Sequence, residues 1–340
     1  MYPPGQCAVS GLSGLSMSKA LVFVSHPARP EVRQIYIDAL SPLAEVVFAA
    51  DLGPAERHTA FAATKVLVTF SPERELEVAE LKSVGHLGMA QCLAAGRDRF
   101  PFQEFAGVPV AFNPGAASAP IAEHTMALIL AAAKNLLPRH QQLVAGEFNQ
   151  AGVNTRLDGG TAAVIGLGAI GSKVARLLQA FGMKVRAVNR SGNTPHPVEM
   201  CRTLAHLDEV LDQSDVAVIS VELNAATQDL IGKRQLQLLK ANAILVNVSR
   251  AAVVQEEALF EHLRAKPGFR AGLDVWWVEP MHAGEFALAH PFFELPNVIG
   301  SPHNSPMVEG IFVDLARAAC MNIARFLNGQ ETWHLADRPL

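Results

Sequence analysis

The sequence predicts the α/β fold class, with two doubly wound parallel-sheet domains and an active site in the cleft between them. Short runs of Val, Ile, Ala and Leu alternate with helix-like stretches in two successive series along the 340 residues. Such runs are typical of parallel strands buried on both faces of a sheet. A glycine-rich turn, Gly166 to Gly171, also joins a strand to a helix at the start of the second series, a connection typical of doubly wound sheets.

The first series predicts five strands with helices between them. The helices are expected over Glu31–Leu40 and Glu73–Ser83, among others. The strands are expected at Ala20–Val24, Ala44–Ala49, Lys65–Phe70, Met89–Leu93 and Val108–Phe112.

The second series predicts six strands, and its helices include Ser172–Phe181, Lys233–Leu239 and Glu256–Arg264. The strands are expected at Thr161–Ile165, Lys184–Val188, Val216–Val221, Ala243–Val248, Ala271–Val275 and Asn297–Gly300.

The segments outside the two series complete the domain prediction. Pro120 to Leu137 is an apolar helix interrupted by charged residues, which favours a buried helix over a membrane span. The more polar segment from Pro138 to Gly160 shows no clear strand, and an amphipathic helix follows Pro306 to about Asn328. We expect a substrate-binding domain at residues 19–115 with 306–340, and a dinucleotide-binding domain at 116–305. Residues 1–18 are expected to be a disordered extension, with Met17 as an alternative start.

The turn Gly166-Leu167-Gly168-Ala169-Ile170-Gly171 carries the strongest functional signal. Its glycines allow a tight turn, approach of the backbone to a pyrophosphate, and close packing of the following helix on the sheet. The N-terminus of that helix offers free N–H groups to the phosphates. The motif alone is weak evidence, but its position between a strand and a helix predicts a Rossmann-like dinucleotide site.

The end of the next strand bears on the choice of cofactor. About 20 residues after the glycines, NAD-binding folds carry an acidic residue for the ribose 2′-OH. This chain has Asn189-Arg190-Ser191 instead, which removes the charge that would repel a 2′-phosphate and adds a cation and a hydroxyl. The sequence therefore favours NADP(H), with NAD(H) as the alternative. The non-functional interpretation is that Arg190 is only a solvated basic residue of the loop.

Charged side chains follow three strands of the second series. They are Arg250, the carboxylates Asp274 and Glu279, and His303. Ligands bind beyond the carboxyl ends of parallel strands, so this set suits hydride chemistry on a 2-oxo acid. A guanidinium binds the carboxylate and polarises the carbonyl, a histidine exchanges the proton, and a carboxylate orients the imidazole. Any one of these four residues, taken alone, is more often structural than catalytic.

Composition excludes other classes of function. Half of the residues are hydrophobic, the net charge is −4 and the pI is about 6.3, so neither nucleic acid nor an anionic membrane is expected as a partner. Four scattered cysteines argue against a zinc site or a disulfide framework and favour the cytoplasm.

The chain resembles the D-isomer-specific 2-hydroxyacid dehydrogenase family. The resemblance rests on AAGRD at 94–98, IAEHTMALIL at 121–130, VIGLGAIG at 164–171, ILVNVSRAAVV at 244–254, GLDVWWVEP at 272–280 and LPNVIGSPH at 295–303. It implies a catalytic triad of Arg250, Glu279 and His303. It also implies substrate binding by Arg250 and the loop Leu93, Ala94, Ala95 and Gly96, and a homodimer with the apolar 120s helix near its interface. The implied cofactor contacts are Gly166, Gly168, Ala169, Ile170, Gly171, Asn189, Arg190, Ser191, Val221, Asn224, Thr227, Val248, Ser249 and Asp274.

This chain departs from the family pattern at several positions. Ala251 replaces the usual glycine after the arginine, and Glu222 stands where the family generally has proline. Trp276 and Trp277 replace smaller residues and either wall the substrate pocket or cover the domain edge. Asn189 with its two neighbours resembles the NADP-preferring glyoxylate/hydroxypyruvate reductase branch.

The predicted function is therefore reduction of a small 2-oxo acid, such as glyoxylate or hydroxypyruvate, by NADPH. The alternatives are an NAD-dependent dehydrogenase of another 2-hydroxy acid and a cofactor-sensing binding protein similar to the related transcriptional co-repressors. A formate- or phosphite-oxidising enzyme is less favoured.

Overall fold

The computed structural model describes residues 19–336, in which two compact units are distinguished. Unit 1 comprises residues 19–93, 100–112 and 316–336, and unit 2 comprises 94–99 and 113–315. The expected extension at 1–18 lies outside the described residues. No helix within residues 19–336 is long and apolar enough to cross a membrane.

The strands form two parallel sheets, which confirms the predicted fold class. Unit 1 contains five strands in the order β2-β1-β3-β4-β5, and unit 2 contains seven in the order β12-β11-β10-β9-β6-β7-β8. The strands are β1 (Ala20–Val24), β2 (Ala44–Phe48), β3 (Thr64–Thr69), β4 (Met89–Cys92), β5 (Val110–Ala111), β6 (Thr161–Ile165), β7 (Lys184–Val188), β8 (Met200–Arg202), β9 (Val216–Ile219), β10 (Ile244–Asn247), β11 (Arg270–Leu273) and β12 (Val298–Gly300).

Twelve α-helices are assigned within the described residues. They are α1 (Pro30–Leu40), α2 (Pro54–Ala62), α3 (Pro72–Glu75), α4 (Val78–Lys82), α5 (Ser118–Ala133), α6 (Leu136–Val144), α7 (Ala169–Ala180), α8 (Leu207–Leu211), α9 (Lys233–Leu238), α10 (Glu256–Ala265), α11 (Pro280–Ala283) and α12 (Ile311–Leu327). In unit 2, helices cover both faces of the sheet through two separate apolar clusters, so both faces of its central strands are buried.

Two predicted helices are wrong in detail. The helix expected over Glu73–Ser83 is divided into α3 and α4, because the Glu75 carboxylate accepts hydrogen bonds from the N–H groups of Phe70 and Ser71 and the backbone at Leu76 is extended. The helix expected over Pro120–Leu137 ends at Ala133, since Asn135 has a left-handed backbone.

One helix and one strand of the structure were not predicted from the sequence. Helix α6 lies mostly in the segment from Pro138 to Gly160, which showed no clear strand, and β8 adds a seventh strand at the edge of the sheet in unit 2. Helix α6 has no buried residue, and β8 is three residues long and partly exposed, so neither shows the apolar run on which the prediction depended.

The sheet of unit 2 reverses its order between β6 and β9. These two strands are direct neighbours although α7, β7, β8 and α8 lie between them in the chain. In a doubly wound sheet, the crevice at the carboxyl ends of such a strand pair is the usual ligand site. The glycine-rich turn follows β6 and therefore lies at this position.

Candidate active site

The glycine-rich turn is tightly packed against the end of β9. Gly166 has a positive φ of 99°, and a Cβ there would lie 2.7 Å from the carbonyl carbon of Ser220. Gly171 packs against the same turn. A Cβ built on Gly171 would overlap the Gly166 carbonyl oxygen and lie 2.9 Å from the Ser220 hydroxyl. That hydroxyl donates a hydrogen bond of 2.8 Å to the Gly166 carbonyl. Only glycine fits both positions.

The open side of this turn fits a dinucleotide pyrophosphate. Apart from Gly168 and its two chain neighbours, no atom of residues 19–336 lies within 4 Å of a Cβ built on Gly168, and no described side chain caps the N-terminus of the 12-residue α7. A cavity of about 530 Å³ is lined by this turn and by the cationic side chains of Lys173 and Arg176, with His196. Free N–H groups, a helix dipole and nearby cations all favour a bound anion.

The loop after β7 is organised by Asn189. Its side chain donates to the carbonyl of Asn193 at 2.7 Å and accepts from the N–H of Gly192 at 2.7 Å. The Ser191 hydroxyl donates to the same Asn193 carbonyl. Arg190 is exposed and forms no ion pair with residues 19–336. The end of β7 therefore presents a neutral amide and an unpaired cation.

The loop after β9 is closed by its own side chains. The Thr227 hydroxyl donates to the carbonyl of Glu222 at 2.6 Å and accepts from the N–H of Asn224 at 2.9 Å. Thr227 is buried, and Val221 is partly buried against the core of unit 2. Glu222, at the position where the family generally has proline, forms an ion pair of 2.9 Å with Arg97. The cofactor contacts predicted for this loop stay predictions.

Asn247 at the end of β10 shapes the turn that carries Arg250. Its side-chain amide donates to the Arg250 carbonyl at 2.9 Å, and its amide oxygen accepts from both the N–H and the hydroxyl of Ser249 at 3.0 Å. Ser249 and Val248 are buried. No role was predicted for Asn247 from the sequence, although an asparagine at the end of a buried strand commonly forms a turn through its side-chain amide.

The guanidinium of Arg250 is held on two edges. Its Nε lies 3.1 Å from both carboxylate oxygens of Asp98, and its Nη1 donates to the Ser249 carbonyl at 2.8 Å. Gly96 packs against the Nη2 side so closely that a Cβ on Gly96 would overlap Nη2. Nη2 makes no hydrogen bond within residues 19–336, so the end of the guanidinium formed by Nη1 and Nη2 keeps N–H donors for a ligand.

The structure places two of the predicted substrate-loop residues beside Arg250. Gly96 contacts the guanidinium, and the exposed Ala95 precedes it. The N–H of Leu93 donates to Thr69 and the carbonyl of Ala94 accepts from Asn113. Asp98, within the AAGRD stretch, was not identified as a functional residue, although its side chain is only 10% exposed.

His303 and Glu279 form a hydrogen-bonded pair. Nδ1 of His303 lies 2.8 Å from Oε2 of Glu279, and Oε1 accepts from the N–H of Trp276 at 2.9 Å. Burial raises the pKa of Glu279, but the hydrogen bonds from His303 and Trp276 and the charges of His303 and Arg250 outweigh it and lower the pKa below 4.5. Glu279 therefore stays ionised, and Nε2 of His303 remains for exchange of a proton.

Asp274 is a fully buried anchor of the segment that contains His303. Its Oδ1 accepts from the Ser301 hydroxyl at 2.6 Å and from the N–H of Asn304 at 3.2 Å, and its Oδ2 accepts from the N–H of Ser305 at 3.2 Å. Its side chain is fully covered, so the contact with a nicotinamide carboxamide that the resemblance implied stays a prediction.

The two tryptophans after Asp274 pack inside unit 2. Trp276 is 5% exposed, and its indole N–H donates to the Ser301 carbonyl at 2.8 Å. Trp277 stacks on Phe292 with 5.4 Å between ring centroids and donates to the carbonyl of Val254. Both roles predicted for these residues, a wall of the substrate pocket and cover of the domain edge, stay predictions.

Comparison with known proteins decides the family. Residues 126–305 match the family described as D-isomer specific 2-hydroxyacid dehydrogenase, NAD binding domain. The chain belongs to this family. It is 31% identical to a glyoxylate reductase of Thermococcus gammatolerans over 274 residues, which are 78% of this chain and 80% of the relative.

Other members agree with this assignment. A glyoxylate/hydroxypyruvate reductase B of Pectobacterium atrosepticum is 30% identical over 82% of this chain and 88% of its own length. The crystal structure of D-lactate dehydrogenase from Aquifex aeolicus, complexed with NAD and lactic acid, superimposes with a TM-score of 0.71 at 25% identity and covers 91% of this chain and 96% of that chain. This 2-hydroxyacid dehydrogenase is therefore an oxidoreductase that acts on CH–OH donors with a nicotinamide cofactor.

Proposed function

We propose that this 2-hydroxyacid dehydrogenase reduces small 2-oxo acids of the glyoxylate and hydroxypyruvate type and prefers NADPH. The observation that carries the proposal is the His303–Glu279 hydrogen bond of 2.8 Å, which orients an acid–base group through a carboxylate that also feels the charge of Arg250. The relatives named glyoxylate reductase support the choice of substrate.

Arg250 binds the substrate carboxylate in this proposal. Asp98 and the Ser249 carbonyl fix the guanidinium plane, so its outer N–H groups are oriented before the substrate arrives. Two parallel N–H groups match the two oxygens of a carboxylate, and the same charge polarises the adjacent carbonyl. The backbone N–H groups of Ala94, Ala95 and Gly96 supply further donors.

His303 donates the proton to the alkoxide oxygen through Nε2. Glu279 stabilises the protonated imidazole and fixes its ring through Nδ1. The nicotinamide, when bound, supplies the hydride. Its dinucleotide is held by the turn from Gly166 to Gly171 and by the N-terminus of α7.

The preference for NADPH follows from the charge at the end of β7. A carboxylate there would repel a 2′-phosphate, whereas Asn189 is neutral and Arg190 is exposed and unpaired among residues 19–336. Arg190 and the Ser191 hydroxyl are suited to bind phosphate oxygens. In this proposal residues 116–305 bind the dinucleotide, and residues 19–115 with 306–340 bind the substrate.

We also propose that the enzyme is a homodimer. The segment from α6 onward exposes apolar side chains to solvent in the single chain. They are Leu136 at 55%, Leu143 at 55%, Val144 at 76%, Phe148 at 77% and Val153 at 85%. Grouped exposed apolar residues are typical of an interface, and a second copy of the chain is the occupant we infer. Sedimentation of wild type and Leu143→Asp tests this, since the variant should sediment as a monomer.

Location in the cytoplasm, without nucleic-acid or membrane partners, stays a prediction.

A turnover assay separates the proposal from its rival, a cofactor-sensing binding protein. Glyoxylate, hydroxypyruvate and a panel of larger 2-oxo acids are each tested with NADPH and with NADH. We expect reduction of the small acids, with the higher kcat/KM for NADPH. Binding of cofactor without turnover of any acid would support the sensor, and preference for NADH would support an NAD-dependent dehydrogenase.

Two variants test the assigned groups. Asn189→Asp combined with Arg190→Ala should weaken NADPH binding by about 1.5–3 kcal/mol per lost charge-assisted contact and move preference toward NADH. Arg202→Ala, which removes an exposed cation on the neighbouring β8, is the matched control. His303→Ala should lower the reduction rate on the order of 10²–10⁴-fold with little change in NADPH affinity.

A further inference from the structure

A chain of hydrogen bonds leads from α5 to the segment that carries His303. Nε2 of His124, on α5, lies 2.8 Å from the hydroxyl oxygen of Ser301. That hydroxyl lies 2.6 Å from Oδ1 of Asp274. A carboxylate only accepts hydrogen bonds, so the Ser301 proton is directed to Asp274.

The direction of the second bond then follows. Ser301 has one hydroxyl proton, and Asp274 takes it. The Ser301 oxygen must therefore accept from His124, and Nε2 of His124 carries a proton in this arrangement. His124 also lies 3.6 Å from Asp274 Oδ1, so its ring N–H points toward a buried negative charge. A donor in this position stabilises a carboxylate that is wholly removed from water.

Asp274 holds both sides of His303. Ser301 precedes His303 by two residues, and the N–H groups of Asn304 and Ser305 follow it directly. His303 itself has a left-handed backbone with φ of 51°. A residue other than glycine keeps this conformation only where its surroundings enforce it. The three bonds to Asp274 hold both flanks of His303, and the Trp276 indole also donates to the Ser301 carbonyl.

We propose that His124 and Ser301 are positioning residues for the reaction, which act through Asp274 on the orientation of His303. Helix α5 packs against β10, β11 and β12, so the backbone of His124 is anchored to the sheet while its side chain reaches the His303 segment through Ser301. We call the hydrogen-bonded chain His124–Ser301–Asp274 the relay; it links the segment that carries His303 to α5 and thereby to the sheet. This inference rests on the proposed role of His303 as proton donor.

Paired variants test the relay, with the hydrogen bond removed in one and kept in the other. His124→Leu removes the donor, and His124→Gln keeps an N–H near the position of Nε2. Ser301→Ala removes the hydroxyl, and Ser301→Thr keeps it. Ser214→Ala is the control, because it deletes another buried hydroxyl of unit 2 that donates to the Val210 carbonyl.

We expect His124→Leu and Ser301→Ala to lower the rate of hydride transfer on the order of 10-fold, the effect of losing one hydrogen bond that supports a buried carboxylate. The conservative partners should restore it to within about 3-fold, and Ser214→Ala should leave it unchanged. The dissociation constant for NADPH should stay within about 3-fold of wild type in all of them. Single-turnover oxidation of NADPH with enzyme in excess measures the rate even in slow variants.

The same substitutions in a His303→Ala background separate positioning from general damage. If the relay acts through His303, His124→Leu and Ser301→Ala should have almost no further effect there. Equal losses with and without His303 would overturn the proposal, as would wild-type rates in both single variants. Failure of the proposed function looks different, because His303→Ala alone would then react at the wild-type rate.

Discussion

Replacement of Gly96 by alanine should separate substrate binding from folding. A Cβ on Gly96 would overlap Nη2 of Arg250 and lie 3.0 Å from both Cζ of Arg250 and Oδ1 of Asp98. Ordinary van der Waals contact requires 3.4 Å or more. The guanidinium therefore has to move by about 1 Å or more, a displacement that costs on the order of 10²-fold in a reaction that depends on alignment.

The backbone itself should accept the substitution. Gly96 is not among the glycines with positive φ, so alanine restricts the unfolded chain without local strain and tends to stabilise by about 0.4–1 kcal/mol. The contact with Arg250 opposes this gain, but the guanidinium is 30% exposed at its side chain and is able to swing toward solvent. We expect a folded protein with an unchanged melting temperature and a damaged substrate site.

Steady-state kinetics with glyoxylate and fluorescence titration with NADPH measure the two effects. The expected result is kcat/KM lowered about 100-fold with the NADPH dissociation constant within about 3-fold of wild type. Gly268→Ala is the matched control, since the nearest atom to its Cβ is 3.5 Å away. If Gly96→Ala retains kcat/KM within about 3-fold, the position of Arg250 is not what binds the carboxylate.

Three further substitutions give distinct outcomes. Arg250→Lys keeps the charge but loses the planar pair of donors, so both KM and kcat for glyoxylate should worsen, and wild-type kinetics would place the carboxylate site elsewhere. Glu279→Gln removes the carboxylate that orients the His303 imidazole through Nδ1, so the rate of glyoxylate reduction should fall; a wild-type rate contradicts the pairing. Because the pKa of Glu279 is lowered from 4.5, stability from its charge is present above that pH and is lost as pH falls through the lower folded value. His262 is buried, and its pKa is lowered from 6.5 to about 4, mainly by burial and to a smaller extent by the charge of Lys266. The free energy of unfolding should therefore decrease by as much as about 3 kcal/mol as the pH falls from 6.5 to about 4. Denaturant unfolding of His262→Leu should lack that decline, and an unchanged decline would assign it to other groups.

The sequence predicted best what depends on short apolar runs. Strands β1, β6 and β7 have the predicted bounds, because the buried positions of each are apolar and most are branched, as is typical of strands. Strand β8 exists through its pairing with β7, and the three residues from Met200 carry no such run. Pairing with a neighbour is a tertiary effect that a local pattern does not contain.

The same limit applies to the candidate site. Arg250, Glu279 and His303 were predicted from their positions after strands, and the structure brings Glu279 and His303 within hydrogen-bonding distance. Asp98 and His124 contact residues that are 152 and 177 positions away in the chain. Their side chains are ordinary in their own segments, and only the folded arrangement gives them partners.

The groups that hold Arg250 and His303 are independent, which leads to a last prediction. Gly96 and Asp98 hold the first, while Ser301 acts on the second through Asp274. Sites without shared partners have additive free energies, so their effects on rate multiply. The Gly96→Ala, Ser301→Ala double variant should therefore lose on the order of 10³-fold in kcat/KM, the product of about 100-fold and about 10-fold. A double variant no worse than Gly96→Ala alone would mean that carboxylate binding and proton donation are coupled, and Glu279, which hydrogen-bonds His303 and is influenced by the charge of Arg250, would then be the group that couples them.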